Sequence, residues 1–495
     1  MRRRVHPLRF LQLGSLLALV GIPLAVACGE DATIPDPAAP EAGAGADSGI
    51  DSGIDSPITA DTSPPDNDAG VDAADVTCPD VSPVDGEGVF ASPTGTNTAT
   101  CGTRAAPCKT LSFSVTRAGA AFRTKVFAAR GTYVEKVTLA PGVEIVGGWD
   151  VAGTTWKRAC AAPEDAVVVR APALQNITVE ARDLGGEARL SLLRIESKTT
   201  ANLVPGESVY GVVAVGATTT LVMTDVNVVM GNAAPSANGA HGDAGAAAPA
   251  ACAAGAGVVA APGATGAQGT GAPLGSYDPM AEYVPGAAAA GGNGTAGGNG
   301  AAGGAAPACV QCGDCPDPVA CTFVATIGKM SCGSAGKNGC GGGPGEPGGP
   351  AIGGGSNIGV FAWDSTVTIK GGSVKSGDAS NGGTGGVGGA GAVGSAGAVG
   401  AMGDPCTSSC LLVAGVCTPV MTKGAGGAAG GTGALGGTGG AGGGGGGGSS
   451  FATYQGGQGV VTTASGATLA HGKAGKGGLP DGGAGVNGVA ADHVP

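Results

Sequence analysis

The chain has 495 residues, a formal net charge of −12 and only 13% charged residues, while 102 positions are glycine and 15 are cysteine. Acidity of this kind excludes nucleic acid and anionic membrane faces as partners, because both require clustered Lys and Arg. The cysteine count excludes a reducing compartment as the natural setting and points to export.

The first 27 residues carry Arg2, Arg3, Arg4 and Arg9, followed by an apolar run from Phe10 to Ala27. That is the layout of a bacterial-style signal peptide, 1–27, too short and wrongly flanked for a transmembrane anchor. The segment Leu24-Ala25-Val26-Ala27-Cys28-Gly29 resembles a lipobox, which implies lipidation of Cys28. Ala25-Val26-Ala27 also suits ordinary signal peptidase. Parity favours the lipid: with Cys28 set aside, the other 14 of the 15 cysteines can all pair. Loss of the signal removes four arginines and no acids, taking the formal charge from −12 to −16.

Residues 28–77 are dominated by Asp, Ala, Pro, Ser and Gly and contain no Lys or Arg. They cannot bury a core, so a disordered acidic tether is expected there. Residues 78–231 have the composition of a folded domain. Leu111, Val115, Ala118 and Phe122 fit one face of a short helix over Ser112–Phe122. Short β-branched runs follow at Lys125–Ala129, Gly131–Tyr133, Val137–Leu139 and Val143–Asp150, separated by Gly, Pro and Asp corners. The spacing is too tight for βαβ units and predicts the rungs of a parallel β-helix.

Three motifs carry a resemblance over roughly residues 88–231: Ala91-Ser92-Pro93-Thr94-Gly95, Ala106-Pro107-Cys108-Lys109-Thr110-Leu111, and Gly147-Gly148-Trp149-Asp150 with Trp156. They are similar to the pectin-lyase-like β-helix modules of surface lipoproteins in myxobacteria. The resemblance implies a helix that caps the open end of the solenoid, and almost nothing about chemistry.

Beyond residue 231 the chain repeats itself. Val212, Ala214, Leu221, Met223, Val228 and Gly231 match Val360, Ala362, Val367, Ile369, Val374 and Gly377, and Thr453–Gly472 is a weaker third copy. Residues 232–495 therefore read as further rungs, at about 357–377 and 450–471, interleaved with glycine-rich excursions.

In those excursions glycine holds a period of three: Gly382 to Gly403 has eight in phase, Gly424 to Gly448 nine, Gly333 to Gly348 six and Gly291 to Gly303 five. Between Gly391 and Gly403 every off-phase place is another residue, so the period is not a by-product of a polyglycine run. Three residues per turn is the repeat of the polyproline II family, at about 3.1 Å rise, with no internal hydrogen bonds. The tracts resemble the PGRS-type repeats of mycobacterial surface proteins. Each of two pairs of tracts is expected to form a hairpin closed by a cysteine-rich tip, at Cys309–Cys332 and Cys406–Cys417. The expected fold is thus all-β, a right-handed parallel β-helix with insertions forming polyglycine-II-like helices behind the disordered tether.

Cys309, Cys312, Cys315 and Cys321 are the one set with metal-ligand character, resembling part of a ferredoxin motif, but the fourth spacing is wrong. Disulfides are expected instead, here and at Cys332, Cys340, Cys252, Cys406, Cys410 and Cys417. Cys101 and Cys108 are expected to pair locally, and Cys78 to reach Cys160. Asp150, Glu180, Asp183 and Asp225 are scattered acids expected at corners or on the surface. Ala470-His471-Gly472 lacks the clustered aspartates that a polygalacturonase-type site requires. Trp149, Trp156 and Trp363 are expected to pack over rungs.

No catalytic constellation, metal site or cofactor site emerges. The expectation is a non-enzymatic lipoprotein, exported and lipid-anchored at the outer membrane or cell surface, with a structural, adhesive or matrix-contact role. Its partners would be the membrane, through the lipid, and extracellular polysaccharide or surface proteins. The rival is a β-helix that binds or cleaves polysaccharide.

Overall fold

The computed structural model describes residues 81–495 apart from 161, 251, 253–259, 280–281 and 480–481. The signal peptide, Cys28, the tether and Cys78 lie outside the described residues. Among the described residues the regular secondary structure is mostly strand, and the two large sheets are almost wholly parallel.

The larger sheet follows the order Gly88–Ala91, Lys125–Ala129, Glu144–Ala152, Gly186–Glu196, Thr219–Val229, Thr366–Lys375, Val460–Thr463. The smaller follows Val137–Thr138, Ile177–Arg182, Val209–Val215, Asn357–Trp363, Ser450–Gly456, Ala490–Val494. From Ile177 onward the chain visits the two alternately, and each return lands beside the strand it last laid in that sheet. Parallel strands buried on both faces read as near-continuous apolar runs. Val209–Val215 is buried at every position and illustrates the rule.

The residues matched in the sequence repeat are partners in register. Val212 sits opposite Val360 and Ala214 opposite Ala362. In the other sheet Leu221 faces Val367, Met223 faces Ile369 and Val228 faces Val374. The third copy joins the same columns through Thr453 and Leu469. Like therefore stacks on like: Ile195, Val228 and Val374 form one buried column, and Leu190, Met223 and Ile369 another. Each such side chain contributes about 1.5–3 kcal/mol by leaving water.

Bends recur at fixed register. Leu192, Asp225 and Gly371 follow one another across the larger sheet, all with positive φ, at 55°, 49° and 75°. Asp183 and Asp364 take the same left-handed conformation at corners, with φ of 45° and 50°. Asp tolerates that region better than most residues because its short side chain bonds locally.

The helix spans Leu111–Ala120, one residue earlier than the periodicity predicts. Thr110 caps it, and the Glu135 carboxylate accepts from the Leu111 N–H at 2.7 Å and the Ser112 N–H at 3.0 Å. A carboxylate there satisfies orphan donors and complements the helix dipole. Leu111, Val115 and Ala118 are buried as expected, but Phe122 is 96% exposed. The helix has ended by then and Phe122 has φ 53°, which turns it off the apolar face.

The glycine tracts carry no strands yet are bonded throughout. Gly300, Gly297, Gly294 and Gly291 donate to the carbonyls of Gly339, Gly342, Gly345 and Gly348, so these two tracts run antiparallel. Gly433, Gly436, Gly439 and Gly442 likewise donate to Ser395, Ala392, Gly389 and Gly386. The tract ending at Gly448 lies innermost. Its second glycine phase, Gly437, Gly440 and Gly443, donates to Thr295, Gly292 and Ala289, while Gly345 and Gly348 donate back to Gly437 and Gly440. Every position from Gly439 to Gly448 is buried. An added Cβ at Gly439 or Gly442 would overlap a neighbouring carbonyl, of Glu346 or Gly349.

Candidate functional site

One end of the tracts runs into sheet strands; the other runs into two antiparallel hairpins. The first pairs Val310–Asp314 with Val324–Ser331, and the second pairs Cys406–Val413 with Val416–Thr422. Ala414 and Gly415, with φ of 50° and 80°, make the two-residue turn of the second.

The disulfides depart from one expectation: they do not merely close each tip, they bond the two tips together. Cys312 pairs with Cys406, Cys315 with Cys410 and Cys321 with Cys417, over separations of 94, 95 and 96 residues. Cys309–Cys332 closes the base of the first hairpin, and Cys252–Cys340 ties two tracts. The expected local pair Cys101–Cys108 is present, with Cα atoms 5.0 Å apart. Cys160 is disulfide-bonded as well, while the Cys78 expected to partner it lies outside the described residues. Cys309, Cys312, Cys315 and Cys321 thus go to four different partners. Sulfurs of Cys315, Cys410 and Cys417 lie within 4.8 Å of one another, but all three are oxidised to disulfides and have no thiolate to offer.

The tip is apolar and open. Val319 is 84% exposed, and Leu411, Leu412, Val413 and Val416 all exceed 50%. Asp317 is the single charged residue in Cys315–Phe323, and none falls in Cys406–Thr422. The Asp317 carboxylate accepts from the N–H groups of Val319 and Ala320, which hold it below the usual range. Asp314 and Lys329, on the strands of the first hairpin, are the nearest further charges in its sequence. The cysteines dominate the sequence signal here, and Leu411-Leu412-Val413-Ala414-Gly415-Val416 lies between two of them. A six-residue apolar run on a tight turn was the available signal.

The scattered acids hold structural partners. Asp150 pairs with Arg130. Glu180 takes Lys136 at 2.7 Å and Arg182 at 2.7 Å; burial raises its pKa, but the two cations outweigh burial and hold it low. Arg182 also binds Glu282 and the Pro279 carbonyl, clamping the Ser276–Asp278/Glu282–Val284 hairpin. Burial dominates at Glu282 and raises it. Asp183 and Asp225 occupy the left-handed corners described above. Trp149 and Trp156 are buried, Trp149 beneath the Arg158 guanidinium at 3.8 Å, and Trp363 stacks on Phe361.

His471 lines an open groove of about 680 Å³ with Lys375, Asp378 and Lys473. Its ring nitrogen meets the Gly472 carbonyl at 2.7 Å, and its nearest carboxylate, Asp492, is 3.9 Å away. The Asp378 carboxylate accepts the Lys473 N–H. The groove brings together one acid, one imidazole and two amines, short of the paired acids that hydrolysis of a glycosidic bond requires. Among the described residues no helix is long and apolar enough to cross a membrane. No family model, curated protein or solved structure matches this chain.

Proposed function

We propose that the chain is a non-enzymatic lipoprotein of the cell envelope, exported and anchored through an acylated Cys28, with a structural or adhesive role. In this reading the two sheets are faces of a right-handed parallel β-helix of the pectin-lyase-like surface type, and the tracts are polyglycine-II-like helices. Three residues per turn, with bonds only between neighbours, supports the second assignment. Alternate visits to two parallel sheets, with register preserved from turn to turn, support the first.

The observation that carries the role is the tip. Two hairpins with apolar, exposed ends are locked together by three disulfides at the ends of a hydrogen-bonded bundle. Rigidity there lowers the entropy lost on contact with an extracellular polymer or surface protein. Asp150 and Glu180 are engaged in ion pairs, and Asp183 and Asp225 hold left-handed corners.

Mass spectrometry of the unreduced protein from a lipoprotein-competent bacterium tests the anchor: an acyl mass on Cys28 with no free thiol is expected, and an unmodified Cys28 refutes it. Replacing Leu411, Val413 and Val416 by Ser tests the role. Attachment of cells to matrix should fall with the disulfide pattern intact, and unchanged attachment would remove the tip from the mechanism.

A further inference from the structure

We infer that a cavity between the first strand and the end of the helix binds an oxyanion, a carboxylate or sulfate, carried on a small organic group. The inference is independent of the envelope reading. The cavity measures about 240 Å³, and its walls include Asp85, Thr100, Thr103, Arg104, Arg117 and Arg123. In a chain of net charge −12, three guanidinium groups around one cavity is a local reversal of sign.

The three are not equivalent. Arg104 is engaged: it binds the Asp85 carboxylate and the Pro83 carbonyl, and lies 5.2 Å above the Phe90 ring. The other acid nearby, Glu87, takes Lys125 at 2.7 Å. Arg117 and Arg123, both half-buried, have no side-chain hydrogen bond or ion pair among the described residues. Arg117 stands in the last turn of the helix, where the dipole stabilises its charge. That field leaves its donors free. A guanidinium offers five N–H groups in a planar fork that matches carboxylate and sulfate oxygens.

Once Asp85 has neutralised Arg104, two positive charges remain to face whatever enters. The Thr100 and Thr103 hydroxyls add donors. The volume falls below the range for drug-sized ligands, which sets the occupant at one sugar-sized acid or one sulfated group.

Calorimetric titration of the full-length, unreduced protein with sodium sulfate, sodium glucuronate and a sulfated disaccharide tests the site. Dissociation constants in the millimolar range or tighter are expected for at least one probe, weakening with added salt. Tighter binding of a sugar than of free sulfate is expected from the pendant group, and equal affinity for free sulfate would overturn that part of the assignment. R117Q/R123Q should weaken binding about tenfold or more, as expected for losing charge-assisted donors. If that variant loses its disulfide pattern, R117K takes its place: it keeps the charge but not the fork, and about threefold weakening is expected. Binding unchanged by these substitutions, or no binding of any probe at millimolar concentration, overturns the assignment.

Discussion

Substituting Gly439 by Ala in the innermost tract tests whether the bundle is packed through its backbone. The Gly439 N–H donates to the Gly389 carbonyl at 2.8 Å, and the new methyl group would overlap the Glu346 carbonyl of a second neighbour. Neither atom is the end of a flexible side chain, so a backbone must move. Overpacking of this kind costs about 1–3 kcal/mol, and loosening one or two flanking hydrogen bonds adds about 1 kcal/mol each. A loss of about 2–5 kcal/mol is therefore expected. The control is Thr438→Ala, one residue away and exposed, which should change stability by less than about 0.5 kcal/mol. Chemical denaturation of the unreduced protein, with hydrogen exchange of the tract amides, measures both. Equal stability and equal protection in the two variants would refute backbone packing as what orders the tracts.

Replacing Cys312 and Cys406 together by Ser opens one of three links between the tips and should cost about 2–5 kcal/mol, read as a lower denaturation midpoint; an unchanged midpoint would mean the other two links suffice. Lys198 is 4% exposed and bonds Glu207 at 2.7 Å; Lys198→Met should cost about 3–5 kcal/mol, and the double change Lys198→Met/Glu207→Gln should recover much of it. In Glu180 and Glu196 burial raises the carboxyl pKa, yet partner cations lower it further, to a net depression. Their contribution is present above the unfolded carboxylate value and lost as pH falls through the lower folded one, so thermal midpoints should drop below about pH 4.3. Glu180→Gln should flatten that acid limb, and an unaltered limb would remove this carboxylate from it.

The glycine phases record more of the fold than their bulk abundance does. Along Gly382–Gly389 the pattern is Gly-Gly-x, and there the second glycine lies against Ala237, Ala240 and Asp243. Past Ala390, where the bonds from Gly239, Gly242 and Gly245 end among the described residues, the second place holds Ala392, Ser395 and Ala398. Ala392 and Ser395 still donate to Gly343 and Cys340 and accept from Gly436 and Gly433, so one glycine per turn goes with two bonded neighbours and the second glycine marks a further tract packed against it. The paired columns of Val, Ile, Leu and Met were equally legible, since stacking in register demands like residues at equal spacing. The linkage between tips was not. Cys312 has Cys309, Cys315 and Cys321 closer along the chain than Cys406, and only the packing of tracts brings the two hairpins together. Nor were Arg117 and Arg123 legible as neighbours of Arg104, because the fold of Thr100–Arg104 back over the first strand sets that distance.

The bundle of tracts also bears on how the molecule responds to temperature. Apolar hydration is what gives unfolding its large positive heat capacity, and exposure of peptide groups works in the opposite direction. From Gly439 to Gly448 the buried surface is almost entirely peptide backbone. Melting that region should therefore carry a much smaller heat-capacity change per residue than melting the sheets, giving it a flatter stability curve. Cold weakens apolar burial and so falls on the sheets, while the glycine bundle keeps its stability toward the freezing point.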